Sequence, residues 1–269
     1  MSFKILKQTL LDRWKSITLV TALFLVFMAY YSTIYPSTLA SGALSAGSMT
    51  DLLNSPAIKA LLGNLTVDSS YESYISLKGL TFIGWIACGF VAWLAAAFLS
   101  GEIDHKTIDL LLAQPVRRGR LVLVRYAALG VVTAIMMIAA LAGTVIAVKA
   151  MNIETSIPWL VYAMAYMGVL TIAFGAIALF ISAVLSDGRK AALVSLGIMV
   201  VMYFMETIGS VVDLLGPIRY LSLFHYAPYN AMLMTKTLSF VNLGVMLAVA
   251  VVFLALAVYV FRRRDINVA

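Results

Sequence analysis

The chain has 269 residues, 63% of them hydrophobic and 12% charged, with a net charge of +7 and a mean hydropathy of +1.00. A soluble domain is about half apolar and about a quarter charged, so this composition excludes a water-soluble globular fold and points to a chain solvated by lipid. The lone cysteine, Cys88, excludes an intrachain disulfide framework and any multi-cysteine metal site.

Long apolar runs without alternation imply helices, because lipid leaves each spanning segment to satisfy its own backbone and roughly 20 apolar residues cross the hydrocarbon. The fold class expected is all-α, a polytopic integral membrane protein of six transmembrane helices forming a single domain over residues 1–269. Residues 1–16 open it as an interfacial helix: Phe3, Leu6, Leu10 and Trp14 recur at helical spacing, while Lys4, Lys7, Asp12 and Lys15 take other faces. That pattern serves either an anchor or a contact that transmits movement. The first span follows at 17–35. Its basic leader and the small residues Ala40, Ser41 and Gly42 resemble the flanks of a signal peptide, but the apolar run is too long and the leader is itself patterned as a helix.

Residues 49–62 place Leu52, Leu53, Ala57, Ile58, Leu61 and Leu62 near helical spacing, which suits the far interface. Asn64-Leu65-Thr66 matches a glycosylation acceptor, a three-residue pattern read here as chance. The second span, 80–99, carries a ridge of small residues at every fourth position, Gly84, Cys88, Ala92, Ala96 and Ser100. Such ridges let helix backbones approach closely, within a chain or across a dimer, and Cys88 reads as a small packing residue within it.

Residues 100–114 predict a short amphipathic helix. Ser100 caps it, Glu102 and Asp104 favour its positive end, and Pro115 stops it. Ile103, Ile108, Leu111 and Leu112 then face membrane or protein, a shape suited either to a soluble partner or to headgroups alone. The third span, 121–148, repeats the small-residue device at Ala139, Gly143 and Ala147; the fourth is 159–185.

In the fifth span, 191–212, Met199, Met202 and Met205 form a thioether stripe, which packs hydrophobic helices far more often than it holds copper. Glu206 is the carboxylate that stands clearly inside an apolar span, about two thirds of the way across, and such groups are functional candidates by default. It is either a polar anchor, paired with Arg219 or a backbone amide, or a substrate or gating contact. The aromatic stretch 217–229, which includes Arg219 and His225, reads as an outer lid or re-entrant turn, and the last span is 241–261.

Charge fixes the expected orientation. Fourteen of the 19 Lys and Arg fall on one side, at the termini, in the 100–120 and 185–190 connections and, as Arg125, just inside the third span; Lys59, Lys78, Lys149, Arg219 and Lys236 fall on the other. Short basic loops stay cytoplasmic, so both termini are expected there. The same interspersed pattern argues against nucleic acid, which would want a basic face on a soluble domain. The sequence contains no G-x-x-x-x-G-K-[ST] phosphate loop and no G-x-S-x-G elbow. His105 and His225 fall on opposite sides, so they share no metal. No catalytic, cofactor or metal residues are expected.

Together these residues resemble a known family. An interfacial N-terminal helix, six spans, Gly-Glu-Ile-Asp-x-Lys-Thr-Ile-Asp-Leu-Leu-Leu-Ala-Gln-Pro-Val-x-Arg over residues 101–118, Arg-Tyr-Leu-Ser-Leu-Phe-His-Tyr over 219–226 and Phe-Arg-Arg-Arg-Asp over 261–265 are similar to the permeases of ABC type-2 exporters. His105 and Lys106 stand where members often carry Gly. The resemblance implies a transmembrane subunit without a fused ATPase in a prokaryotic cell membrane, partnered by soluble ATP-binding cassette subunits that bind the ATP, by a second or homologous permease, and by the bilayer. It implies that residues 102–112 are the coupling helix, with Glu102, Ile103, Asp104, Lys106, Ile108, Asp109 and Leu112 meeting the ATPase. Members carry lipids, peptides, antibiotics or ions. A stand-alone carrier or channel, or a non-transporting scaffold or sensor, would share the six spans; sparse intramembrane charge and the shaped 100–114 stretch argue against both.

Overall fold

The computed structural model describes residues 2–41, 70–100 and 118–263. The segment 101–117, with Glu102, Ile103, Asp104, His105, Lys106, Ile108, Asp109 and Leu112, lies outside the described residues, as do 49–62 and the Asn64 tripeptide.

Helix α1 (Ser2–Asp12) is followed after Arg13 by α2 (Trp14–Ala40). Then come α3 (Tyr71–Phe98), α4 (Arg118–Ala150), α5 (Ile157–Val184) and α6 (Gly188–Gly209). Two 3-10 segments (Asp213–Leu221 and Leu223–Tyr226) lead to the short α7 (Tyr229–Thr235) and to α8 (Phe240–Arg263). Helices α2 to α6 and α8 are each long and apolar enough to cross a membrane, and no strand occurs among the described residues. The chain is an all-α, multi-pass membrane protein.

Helix α5 is the most buried span and α8 the least. Helix α5 packs on α3, α4, α6 and α8, so it forms the axis of the bundle, while α2 leans chiefly on α4. With lipid tails as apolar as the side chains, close packing and interhelical hydrogen bonds rather than water exclusion hold such helices together. Both small-residue ridges act inside the chain. Along α3 the ridge meets α5: Cys88 Sγ lies 3.8 Å from Thr171 Oγ1, and Ser182 Oγ accepts from the Ser100 amide at 3.0 Å and donates to the Ala96 carbonyl at 3.3 Å. On α4, Ala139, Gly143 and Ala147 are buried, and a methyl group on Gly143 would run into the Leu25 carbonyl of α2.

The helix bounds differ most from the hydropathy windows at α3, which begins nine residues earlier than 80. Ser70 caps it, accepting from the Ser73 amide at 3.2 Å, and Tyr71, Tyr74 and Ile75 are buried. Polar Ser73, Ser76 and Lys78 lower the apolar average there. A π-helical turn, Ser76–Leu80, interrupts α3, and the Thr81 hydroxyl donates to the Ser76 carbonyl at 2.9 Å. Helix α2 continues through Pro36 to Ala40, beyond the expected 35.

In α1 the deeply buried positions are Ile5 and Thr9, while Leu6 and Leu10 are half-buried and Trp14, just past its end, is exposed. The face turned to the bundle is therefore rotated by about one residue from the expected Leu6–Leu10–Trp14 stripe, because α1 lies against α4 rather than against lipid alone.

Candidate functional site

Side-chain contacts sort the helix ends. Arg125 near the start of α4 donates to Thr9 of α1, and Arg13 lies over the Trp93 ring at 5.7 Å, so α1, the end of α3 and the start of α4 share one end. At the opposite end the Thr155 hydroxyl donates to Glu72 Oε1 at 2.9 Å, and Ser32 and Tyr71 hydroxyls meet at 2.6 Å.

The far end holds Glu206, Arg219 and His225 together. Glu206 sits three residues before the end of α6 at Gly209, closer to the helix terminus than the expected two-thirds depth, since α6 stops three residues short of 212. A carboxylate there faces the negative pole of the helix and is disfavoured without a cation. Arg219 supplies one: its Nη2 donates to Oε1 at 2.6 Å, and its Nε lies 3.2 Å from both carboxylate oxygens. His225 Nδ1 approaches Oε2 at 3.1 Å. Hydrogen bonding to Glu206 pushes the Arg219 pKa above its usual value, opposed in part by desolvation.

Local sequence explains how two residues 13 and 19 positions downstream reach one carboxylate. Gly209 has no side chain where a Cβ would stand 2.5 Å from Arg219 Cγ and 3.0 Å from the Leu215 carbonyl, so the 3-10 segment can lie against the end of α6. The buried Ser222 hydroxyl donates to the Met202 carbonyl at 2.6 Å and accepts from the Phe224 amide at 3.2 Å, fixing the joint between the two 3-10 turns. Phe224 then enters the core against Phe174 of α5 and Tyr203 of α6, with ring centroids 5.2 and 5.5 Å away. The His225 ring packs edge-on to Tyr220 and Tyr226, and the Tyr226 hydroxyl closes back on the Tyr220 carbonyl at 3.0 Å. Helix α7 continues inward: Tyr229 is buried, and its hydroxyl comes close to Gly84 of α3.

Both carboxylate oxygens of Glu206 are thus engaged by nitrogen, leaving it poorly placed as a base or nucleophile and well placed as a clamp. Among the described residues no three His, Cys, Asp or Glu side chains gather as metal ligands. Met199 lies in the core of α6.

Arg125 is the polar residue that sequence reasoning passed over. It is 4% exposed, reaches Thr9, and lies 5.4 Å from the centre of the Phe98 ring at the end of α3. Its position inside Leu-Val-Leu-Val-Arg-Tyr-Ala-Ala-Leu was the available signal, because an arginine with apolar neighbours on both sides needs a partner.

A sequence profile described as ABC-2 family transporter protein matches residues 4–266. The chain belongs to the ABC-2 transporter family. Among curated proteins none matches the sequence. As an ABC-2 protein, the chain is the membrane-embedded permease component of an ABC transporter and is not itself the catalytic part, so the clamp at Glu206 and the clasp at Arg125 are elements of a permease. Transporters of this kind work with ATPase partners.

Proposed function

We propose that this ABC-2 permease is one half of an exporter in a prokaryotic plasma membrane, with both termini cytoplasmic, pairing with a second copy or a homologous permease and with separate subunits that bind and hydrolyse ATP. The family match over residues 4–266 carries this reading; the excess of Lys and Arg at the end shared by α1 and the start of α4 supports its orientation. In this reading the chain needs no cofactor of its own. Residues 102–112 form the coupling helix, with Glu102, Ile103, Asp104, Lys106, Ile108, Asp109 and Leu112 facing the ATPase, and α1 forms a second contact, tied by Arg125 to the end of α3 from which the coupling segment departs.

ATP-driven closure of the ATPases rocks the permease halves and alternates access to a path between them, which requires contacts that differ between the two states. Glu206, Arg219 and His225 act at the outer end as a polar anchor that holds the 213–226 segment on α6. The test is affinity purification of the tagged chain in mild detergent. Recovery of a soluble subunit with a phosphate loop and ATPase activity is expected, and Glu102→Ala with Asp109→Ala should uncouple hydrolysis from transport while leaving membrane insertion intact. Repeated recovery of the folded permease alone would overturn the reading.

A further inference from the structure

At the basic end, α4 and α8 do not close against one another along their whole length. A groove of about 700 Å³ runs between them, walled by Leu123 of α4 and by Val251, Leu254, Ala255 and Val258 of α8. It continues into a second cavity of about 700 Å³ lined by Arg118, Gly119, Arg120 and Arg262. Gly119 makes the junction: a Cβ there would lie 3.1 Å from Val258 Cγ1 and 3.2 Å from Arg262 Cδ, so the stem of Arg262 lies across α4 where other residues would block it. Arg263 is held by the Tyr259 ring, 4.5 Å from its centroid. Arg120, Arg262 and Arg263 are exposed, and among the described residues they form no ion pair.

The dimensions and charges of this groove select one occupant. From Val251 to Arg262 the helix rises roughly 16 Å, about half of the ~30 Å hydrocarbon core. The apolar wall is therefore as deep as one leaflet, and the guanidiniums stand where the headgroups of that leaflet lie. Guanidinium recognises phosphate by paired hydrogen bonds, and basic pockets between spanning helices hold anionic headgroups. We propose that the α4–α8 groove is a binding site for an anionic phospholipid of the leaflet at the basic end, with its acyl chain along Leu123, Leu254 and Val258 and its phosphate held by Arg120 and Arg262. The lipid is a resident one rather than cargo, so the site stands whatever the transporter carries.

The test uses the full chain in detergent, titrated during native mass spectrometry with phosphatidylglycerol, with phosphatidylcholine of the same acyl chains, and with glycerol 3-phosphate. Phosphatidylglycerol should bind the more tightly of the two lipids, and glycerol 3-phosphate should not bind at the same concentration. Each cation contributes roughly fivefold toward an anionic headgroup, so Arg120→Gln with Arg262→Gln should weaken phosphatidylglycerol by roughly 25-fold and phosphatidylcholine, whose choline offsets the charge of its phosphate, by much less. Lys15→Gln with Arg189→Gln removes two exposed cations at the same end outside the groove and should change affinity by less than about twofold. Ala255→Trp, at an exposed position lining the groove, should block the acyl chain without disturbing the core. Equal binding of the two lipids, an equal loss in the Lys15/Arg189 pair, or retention of glycerol 3-phosphate would each overturn the proposal.

Discussion

Removing Arg219 should harm the protein more than removing the carboxylate it serves, and a double-mutant cycle at Glu206 measures why. Two unit charges about 4 Å apart attract by about 4 kcal/mol at an effective dielectric of 20. Solvent reaches 32% of the Arg219 side chain and 22% of Glu206, and desolvation offsets much of the gross term, so the expected coupling is about 1–2 kcal/mol, above the usual exposed pair. Arg219→Gln leaves Glu206 charged at the negative pole of α6 with His225 as its remaining described partner, a further penalty of about 0.3–1 kcal/mol. We expect about 2–3 kcal/mol for Arg219→Gln, about 1 kcal/mol for Glu206→Gln, and a double variant less damaged than the sum. Reversible unfolding in mixed micelles reads all three. Additivity within about 0.5 kcal/mol would refute the clamp as a coupled unit. ATPase turnover of the reconstituted complex separates the roles: an anchor loses turnover in step with stability, whereas a gate alters turnover in variants that remain as stable as the parent.

Gly143→Ala should cost about 1–3 kcal/mol by forcing α2 off α4, although alanine favours a helix, while Gly130→Ala on the same helix, with open space around it, should be neutral or stabilising by up to about 1 kcal/mol; equal melting shifts would remove the close-approach argument. Single cysteines replacing Arg118 and Lys59 should label from opposite sides of sealed vesicles, and equal labelling from outside would break the proposed topology. Asp187 caps α6 by accepting from the Arg189 and Lys190 amides at 2.9 and 3.0 Å, and these bonds, that to Lys190 first, hold its pKa below the ordinary value. Its contribution to stability is therefore present above the ordinary aspartate range and is lost as pH falls through its lowered value; those two amide signals should titrate below that range, and Asp187→Asn should abolish the titration while keeping the cap.

Which features could be read from sequence follows from what each depends on. Six spans were legible because lipid imposes a local requirement, a long apolar run bounded by charge. The Gly84-to-Ser100 ridge was visible as a pattern, yet its partner was not: the same spacing serves an internal neighbour or a second chain, and Thr171 and Ser182 decide for α5 only once the helices are packed. The early start of α3 was hidden because Ser73, Ser76 and Lys78 are polar and Tyr71 is buried by tertiary contact. The pairing of Glu206 with Arg219 was one of the alternatives legible in the sequence, whereas the arrival of His225 on the same carboxylate was not, because it depends on Gly209 letting a 3-10 segment fold back. Arg125 reads from sequence as one more flanking cation, since its burial comes from α1 lying over α4.

The way these contacts are distributed constrains how the permease can move. Helix α3 is joined to α5 near one end by Ser100 and Ser182 and farther along by Cys88 and Thr171, and Gly175 of α5 packs so closely on Val91 that a Cβ would lie 2.9 Å from it. Helix α2 is seated on α4 at Gly143, and Phe224 ties the second 3-10 segment to both α5 and α6. Close-packed interfaces of this kind switch between discrete arrangements or not at all, and here sliding one span past its neighbour would break small-residue contacts that no side-chain rotation can replace. Under the proposed cycle, a push at the end of α3 therefore tilts these helices together as a body, and the boundary that opens and closes lies between this chain and its partner permease rather than between its own spans.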